Sequence, residues 1–389
     1  MNGSLPRMAI AAARHADICD TVRRICEGYP ATYWRACEDA PTACRYPEAF
    51  IAELEAAGIM GALVPEAYAG VGLPLAAAAS IATTIHETGC NAAAFVSQCL
   101  LTALLVRHGN PALKTRLLPQ LAAGAARLQT LALTEEGVGD EVARMTMTAT
   151  DIDGETVLCG RKSRACLAAS TDHMVVLARS DAEAGTSLYL VEGGRSPRQE
   201  IRIHPLKEMN NDGAASLVFD RYRPGADALI GQAGTGEAHL DDMIAVHRIL
   251  AAACAVGDGR FFSRRGVAYA NERTVFGNPI GKYQGIQFPL AKAHVELESA
   301  SLSMAKAATL YDGGVEAAEA ALVARHLAVE AAWAMADAAF TTHGGFAFAR
   351  EYDIERKWRD VRAMRVAATP FRNDLARIGE SALGLPRSY

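Results

Sequence analysis

The sequence lacks the features that mark membrane, secreted and nucleic-acid-binding proteins. No apolar run approaches the roughly 20 residues that a membrane-spanning helix needs. The first 20 residues lack the charged lead and long apolar segment of a signal peptide. The net charge of −5, from 39 basic and 44 acidic residues, offers no basic surface for nucleic acid. We therefore expect a soluble cytoplasmic protein that acts neither on membranes nor on nucleic acid.

Metal and disulfide signatures are also missing. The nine cysteines are scattered without a C-x-x-C pair, and the ten histidines include no H-E-x-x-H motif. A metal or redox cluster of Cys19, Cys26, Cys37 and Cys44 remains an alternative, but no histidines pair with them at zinc spacing. Free thiols and no metal are the favoured interpretation.

No glycine-rich phosphate loop of the Rossmann or Walker type follows a predicted strand. What is present is globular composition, with 50% hydrophobic and 21% charged residues, in three stretches of different texture. We expect an α-helical domain at 1–125, a β domain at 126–235 and an α-helical bundle at 236–389.

Helical periodicity dominates the two outer stretches. In the first, a helix begins at Pro47 and stops at Gly58, and others are predicted over 75–88, 91–107 and 111–124. In the last, four long alanine-rich helices over 239–271, 285–311, 315–341 and 350–365 predict a four-helix bundle.

The middle stretch has short β-branched runs at 145–150, 156–159, 174–178, 187–191, 201–203 and 216–219, separated by turns such as Asp153-Gly154. No helix long enough for a crossover separates them, which disfavours a parallel dinucleotide-binding sheet. The fold class is therefore α+β: a helical domain, a middle antiparallel barrel or sandwich, and a helical bundle.

Three polar, glycine-punctuated segments are candidates for ligand binding. The loop from Thr134 to Asp140 could bring backbone N–H groups close to a phosphate. The link from Arg273 to Gln284 carries groups suited to a phosphate or ribose around Phe276. The pair Gly344-Gly345 breaks a helix. Taken alone, each is equally compatible with an ordinary surface turn.

Together, in this order and over about 45–389, these segments resemble the acyl-CoA dehydrogenase family of FAD flavoproteins, which desaturate acyl thioesters between Cα and Cβ. The matching motifs are Val64-Pro65-Glu66-x-Tyr68-x-Gly70-x-Gly72, Thr134-Glu135, Tyr269-x3-Arg273-x2-Phe276-Gly277-x2-Ile280-x3-Gln284, His343-Gly344-Gly345 and Arg356-x2-Arg359-Asp360. Each motif alone is weak evidence. Their shared order on this helix–sheet–helix texture predicts the family's fold.

The resemblance implies an assembly and a set of contacts. The family forms homotetramers or dimers of dimers, with FAD between the β domain and the bundle. By position, Thr134 and Gly139 contact the flavin side, while Arg273, Phe276, Gln284, Gly344 and Gly345 reach the FAD of a neighbouring subunit. The implied substrate is an acyl group on CoA or an acyl carrier protein. The implied electron acceptor is an electron-transfer flavoprotein.

The sequence departs from the family at the catalytic positions. The usual glutamate base corresponds to Ala368, and the alternative glutamate, one residue before Arg248, corresponds to His247. A histidine can act as a base because its ordinary pKa is near 6.5. We therefore expect His247 to replace the glutamate, with Arg248 positioning the substrate.

The expected flavin pocket also differs from the family pattern. Arg164 stands where a tryptophan packs on the flavin, and Cys166 stands at a hydroxyl-bearing position. The usual G-S-D reads Gly139-Asp140-Glu141, and we name Arg164 as one partner for these acids. Two further differences are Thr341 in place of a glutamine and Pro370 in place of a threonine.

These departures leave three hypotheses open. The first is a flavin-dependent acyl-thioester oxidoreductase whose base is His247. The second is altered chemistry on the same fold, such as a lyase, decarboxylase or hydroxylase. The third is a non-catalytic subunit that assembles with an intact paralogue and lends Arg273 and Gln284 to its FAD.

Overall fold

In the computed structural model, the chain is described over residues 4–41, 45–138, 144–180, 185–210, 212–366 and 374–386, with side chains from residue 16 onward. Two sets of helices flank a β-sheet, in the order that the sequence predicts. The predicted α+β class, with helical outer regions and a middle β region, is observed.

Over residues 4–41 and 45–125, the first set contains six α-helices. They are α1 (Ser4–Glu27), α2 (Ala31–Asp39), α3 (Glu48–Ala56), α4 (Leu75–Glu87), α5 (Ala93–His108) and α6 (Pro111–Ala122). Helix α6 begins where Pro111 occupies the first turn and the Asn110 side chain accepts a hydrogen bond from the Leu113 N–H at 2.8 Å. These local signals account for the accurate sequence prediction of this helix.

The middle region is one mixed sheet with the strand order β6-β7-β3-β2-β4-β5-β8, and β1 pairs with β4 outside that path. The strands are β1 (Leu128–Ala132), β2 (Thr148–Ile152), β3 (Glu155–Ala165), β4 (His173–Ser180), β5 (Thr186–Glu192), β6 (Ile201–Pro205), β7 (Ala215–Tyr222) and β8 (Leu229–Ile230). The predicted turn joins β2 to β3, because Asp153 and Gly154 both take positive φ, at 57° and 82°.

Two pairings differ from a purely antiparallel sheet. Strand β4 runs parallel to both β1 and β2, while the other pairings of this sheet within the described residues are antiparallel. The reason is connectivity: the chain leaves β1, forms the β2–β3 hairpin and returns to enter β4 in the direction of β1. That connection is long enough for a parallel pairing without a helix.

The C-terminal bundle is built from α7 (Gly236–Glu272), α8 (Gln284–Asp312), α9 (Ala318–His343) and α10 (Ile354–Val366). The strands β9 (Thr274–Val275) and β10 (Asn278–Pro279) form a small hairpin between α7 and α8, and the short helix α11 (Asp374–Arg377) follows α10. Glycines allow α7 to pack closely: a Cβ on Gly257 would lie 2.5 Å from the Thr83 carbonyl oxygen of α4. The predicted four-helix bundle is thus observed, with bounds shifted by a few residues.

Candidate functional site

A buried ion pair anchors the loop that follows β1. Lys162 on β3 is fully buried, and its Nζ donates to the Leu133 carbonyl at 3.0 Å and to Glu135 Oε1 at 2.9 Å. Glu135 also accepts from the N–H and hydroxyl of Thr146, at 2.7 and 2.6 Å. Burial disfavours the charged carboxylate, but the hydrogen bonds from Thr146 and Lys162 outweigh it and lower the pKa of Glu135. The hydrogen bonds of Lys162 and Glu135 therefore fix the loop against β3.

Thr134 lies at the exposed surface of this anchored loop. Its carbonyl oxygen accepts from the backbone N–H of Ser163 at 2.8 Å and from the Ser163 hydroxyl at 3.2 Å. The loop thus presents Thr134 next to β3, the strand that carries Arg164 and Cys166. Gly139, Asp140 and Glu141 lie outside the described residues.

Arg164 pairs with acids that we did not name from the sequence. Its Nε donates to Glu208 Oε1 at 2.9 Å, and a terminal nitrogen forms an ion pair with Asp212. Both acids lie between β6 and β7, so this ion-pair network joins β3 to that link. The Cys166 sulfur lies 3.7 Å from the Asp212 carboxylate, and burial, followed by that charge, raises the pKa of Cys166 to about 12.

A small apolar pocket that opens to solvent lies between α5, β1 and α7, and we call it the leucine cavity. Its lining residues are Leu100, Leu101, Leu104, Leu131, Leu133, Leu240, Met243, Ile244 and His247. Among the described residues of that lining, His247 is the one titratable side chain, and Leu133 directly precedes Thr134. The structure therefore brings His247 and the Thr134 loop to neighbouring parts of one site.

The surroundings of His247 favour the neutral form of its imidazole. Its Nδ1 atom is buried without a hydrogen-bond partner. Burial, together with the charges of Arg325 and Arg248, lowers the pKa of His247 to about 4. At neutral pH the ring can accept a proton, but the conjugate acid is unstable in these surroundings.

Arg248 occupies the next position of α7 and is only 3% exposed. Its Nε lies 3.5 Å from Asp374 Oδ1 of α11, and Asp374 also forms a shorter ion pair with Arg325 of α9. Burial lowers the pKa of Arg248 despite the Asp374 charge. Ala368 and Pro370 lie outside the described residues, so their expected positions near this cluster stay predictions.

The remaining predicted residues form a second, outer group: Arg273, Phe276, Gln284, Thr341, Gly344 and Gly345. All six are exposed, and Phe276, at the tip of the β9–β10 hairpin, is 91% exposed. The ring of Tyr269 stacks on His343 with centroids 4.3 Å apart, which brings the end of α7 to the end of α9. The outer group therefore shares one end of the bundle.

Within one chain, the outer group and the leucine cavity lie far apart. His247 and Glu272 are 25 positions apart on the continuous helix α7, which corresponds to about 38 Å at 1.5 Å per residue. One chain therefore does not bring Arg273 and His247 to the same part of a site. This separation agrees with the expectation that the outer group serves a neighbouring subunit.

Sequence reasoning missed several residues of this site. Glu135 belongs to the Thr134-Glu135 motif, but its pairing with Lys162 was missed; it could have been predicted, because a buried charge requires a partner. The apolar run at 100–106 was a signal for the cavity wall on α5. No local pattern indicated that Asp374 and Arg325 would meet Arg248, since they lie on separate helices.

Within the described ranges, no cluster of three or more His, Cys, Asp or Glu side chains could hold a metal ion. No helix among those same residues combines the length and apolarity needed to cross a bilayer.

Comparison with known proteins gives matches across most of the chain. Residues 12–125 match the family model of the acyl-CoA dehydrogenase N-terminal domain, 130–222 that of the middle domain and 234–368 that of the C-terminal domain. Acyl-CoA dehydrogenase fadE12 of Mycobacterium bovis is 32% identical over 87% of this chain and 88% of its own length. The three family models and this relative therefore agree over nearly the same span.

Two further proteins are similar over most of this chain. Benzylmalonyl-CoA dehydrogenase of Aromatoleum aromaticum is 31% identical over 82% of this chain and 85% of its own length. The structure of glutaryl-coenzyme A dehydrogenase in complex with glutaryl-CoA superposes with a TM-score of 0.86, covers 96% of each chain and is 24% identical. Because the sequence identity is below 25%, this structural match is evidence for the fold alone.

Proposed function

Because the chain belongs to the acyl-CoA dehydrogenase family, we propose that it is a flavin-dependent oxidoreductase that acts on an acyl thioester and uses His247 as its base. The observation that carries this proposal is the leucine cavity, in which His247 is the one titratable lining residue of the part of the chain that the structure describes. The acyl group would lie among the leucines, with its α-proton facing the unpartnered imidazole nitrogen.

FAD is the cofactor of this family, and the residues present fit it. At the end of α9, Gly344 has φ 58° and ψ −134°, a backbone conformation that glycine alone adopts readily, and no atom lies within 4 Å of its would-be Cβ. That open backbone and the exposed Arg273 suit the pyrophosphate and adenosine end, while the Thr134 loop and Cys166 suit the ring end. When bound, FAD supplies the hydride acceptor.

The chain's own residues then have distinct tasks. The leucines exclude water and hold the acyl group, and the neutral His247 takes the α-proton. Arg248 supplies positive charge next to that position, which favours negative charge developing on the substrate. The carrier would be CoA or an acyl carrier protein, and an electron-transfer flavoprotein would take up the electrons.

Removal of the imidazole tests this assignment. We expect His247→Ala to lower the rate of anaerobic flavin reduction by an acyl-CoA at least about 100-fold, the loss typical of a missing general base. FAD content per chain should stay unchanged. The matched control is His294→Ala, at an exposed position of α8, which should reduce at the parent rate. Unchanged reduction in His247→Ala would exclude the histidine as the base.

A second candidate function is favoured by the low pKa of His247. A base with a pKa of about 4 is weak, and no carboxylate lines the leucine cavity among the described residues. A lyase or decarboxylase that needs no α-proton base would suit such a site. Product formed from an acyl thioester without any electron acceptor would favour this candidate over the first.

We also propose that the protein works as a homodimer or homotetramer. The exposed side chains Phe288, Val295 and Leu302 recur every seven residues along α8 and so form one apolar stripe. These side chains and Phe276 suit contact with another subunit. In such a contact, the outer group would reach the FAD bound by that other subunit. Light scattering after gel filtration tests this. A monomer that retains FAD only when co-expressed with a paralogue would favour the hetero-oligomer instead.

A further inference from the structure

Two histidine rings stack on each other where the end of α5 meets the start of α7. The centroids of His108 and His239 are 4.1 Å apart, and the two ring planes are inclined by 11°. His108 is the last residue of α5, and His239 lies in the first turn of α7. We call these two residues the histidine pair. Neither belongs to the base or to the cofactor contacts proposed above.

His239 is fixed by the loop that precedes α7. The Thr235 hydroxyl donates to the Gln232 carbonyl at 2.7 Å, and the same hydroxyl oxygen lies 3.1 Å from His239 Nε2. Because a hydroxyl has one hydrogen, Thr235 must accept from His239, whose Nε2 therefore carries a hydrogen. Gly231 takes φ 76°, and a Cβ at this position would lie 1.8 Å from His239 Nε2. The imidazole ring therefore needs glycine there.

His108 is held by a carboxylate that it shares with an arginine. Its Nε2 lies 2.8 Å from Asp242 Oδ2, and the same oxygen forms an ion pair with Arg107 Nε at 2.5 Å. An ionised carboxylate only accepts hydrogen bonds, so Nε2 of His108 also carries a hydrogen. In the described residues, the charged and titratable neighbours of the histidine pair are thus Arg107, Asp242 and, through its hydrogen bond to Arg107, Tyr311 of α8.

This arrangement accommodates one additional proton but not two. With both rings neutral, the charges of Arg107 and Asp242 balance. A first proton adds one cation beside the Asp242 carboxylate. A second proton places two cationic rings 4.1 Å apart, so that one carboxylate stands among three positive charges. Burial, followed by the proximity of His108, lowers the pKa of His239 despite the charge of Asp242.

The histidine pair lies at one end of the leucine cavity. Leu104 stands one turn before His108 on α5, and Leu240 directly follows His239 on α7. Both leucines line the cavity. Separation of the two rings would therefore move apart the two helices that form its walls.

From this geometry we propose that the histidine pair is a pH-sensitive contact between α5 and α7. The stacked rings hold the two helices together at neutral pH. In acid, a proton binds to Nδ1 of each ring, the two cations separate, and the leucine cavity widens at this end. This inference goes beyond the proposed function and holds whichever ligand the cavity takes.

The direction of the pH effect follows from linkage. The pKa of His239 is lower in the closed form than the ordinary value near 6.5, so the open form binds protons first as the pH falls. The stabilisation from the contact is therefore complete above that ordinary value and is lost progressively below it.

Hydrogen exchange of the flavin-loaded protein, followed by mass spectrometry at pH 7.5 and pH 5, tests this inference. Each rate is divided by the intrinsic exchange rate at the same pH. In the parent protein, the protection of amides in 100–108 and 236–246 should fall at least about tenfold at pH 5, as for an open form that binds more protons. Protection in β4 and β5 should stay constant.

Variants assign the loss of protection to the histidine pair. His239→Phe and His108→Phe each keep a flat ring in the stack but remove one proton site, so both should retain their neutral-pH protection at pH 5. His204→Phe, at an exposed position of β6, is the matched control and should lose protection as the parent does. His247→Gln should also lose it, because His247 lies outside the pair. Thermal unfolding checks that each variant is folded, and either Phe variant provides the test if the other is not.

Three results would overturn the inference. The first is constant protection in the parent protein at the two pH values. The second is an equal loss in the parent and in both Phe variants, which would assign the acid sensitivity to other groups. The third is a pH effect that disappears in His247→Gln, because titration of His247 would then separate the helices. Each result leaves the proposed function intact, since none of them measures thioester binding or flavin reduction.

Discussion

Lys162 and Arg248 are both buried cations at the proposed site, but their surroundings differ. Lys162, below the Thr134 loop, donates to the Leu133 carbonyl and to the Glu135 carboxylate. Arg248, beside the leucine cavity, makes no hydrogen bond within the described residues and has one carboxylate at 3.5 Å. The difference teaches that the cation on the loop side is held by short hydrogen bonds, whereas the cation on the α7 side has a single, longer ion pair.

The largest expected effect concerns Lys162. Lys162→Met should destabilise the protein by about 3–5 kcal/mol, because it leaves the carboxylate of Glu135 buried without its cation. Urea denaturation followed by circular dichroism measures the free energy of unfolding. Lys282→Met, at an exposed position, is the control and should change it by less than about 1 kcal/mol. A loss equally small for Lys162→Met would remove the structural role assigned to the ion pair.

His247 should make stability depend on pH. Its folded-state pKa is lowered to about 4, whereas the unfolded chain has the ordinary value near 6.5. The unfolded state therefore binds a proton first as the pH falls, and the folded state loses about 3 kcal/mol between pH 7 and pH 4. His247→Gln should lack this loss. The measurement is the difference in unfolding free energy between parent and variant at the two pH values, and a pH-independent difference would contradict the burial of a neutral imidazole.

Arg248 should contrast with Lys162. Arg248→Met removes a buried charge that lacks hydrogen bonds, so we expect stability to change by no more than about 1 kcal/mol, in either direction. Asp374 keeps its ion pair with Arg325 in this variant. The same urea experiment applies. A loss as large as that of Lys162→Met would show that Arg248 stabilises the fold. Arg248 and Lys162 would then not differ in their contribution to stability.

The smallest effect is expected at the partly exposed Arg164. Glu208→Gln weakens one of its two acidic contacts but leaves Asp212 in place. Ion pairs of this exposure contribute about 0–1 kcal/mol, and salt screens them. We expect a loss of under about 0.5 kcal/mol in urea denaturation, which disappears in 1 M NaCl. A larger loss that does not depend on salt would show that the ion pairs of Arg164, like that of Lys162, stabilise the fold.

Much of the fold could be predicted because its signals are local. Proline at helix starts, glycine at stops and the Asp153-Gly154 turn each act over a few residues, and the corresponding helices and hairpin are observed. Strands β1 and β8 were missed because β1 follows α6 almost directly and β8 has only two residues. The parallel pairing of β4 with β1 depends on the path of the chain, which no local pattern encodes.

The site was less predictable than the fold. Thr134 and His247 were named from a family resemblance, and the structure places them on neighbouring walls through Leu133. The partners of Arg164 and Arg248 were not foreseen, because Glu208, Asp212 and Asp374 are 44, 48 and 126 positions away along the chain. Contacts across such distances are set by how strands and helices pack within each domain. Their charges could be read from the sequence, but not their pairing.

The uninterrupted length of α7 has a mechanical consequence. Its 37 residues make a rod of about 55 Å, with His247 in the first third and the β9–β10 hairpin at the far tip. Close glycine contacts hold this rod against α4 and α8. Because these contacts hold α7 along its length, the helix bends only at a high energetic cost. A small tilt of the α7 segment around His247 would therefore move Phe276, at the tip of the β9–β10 hairpin, by a larger distance.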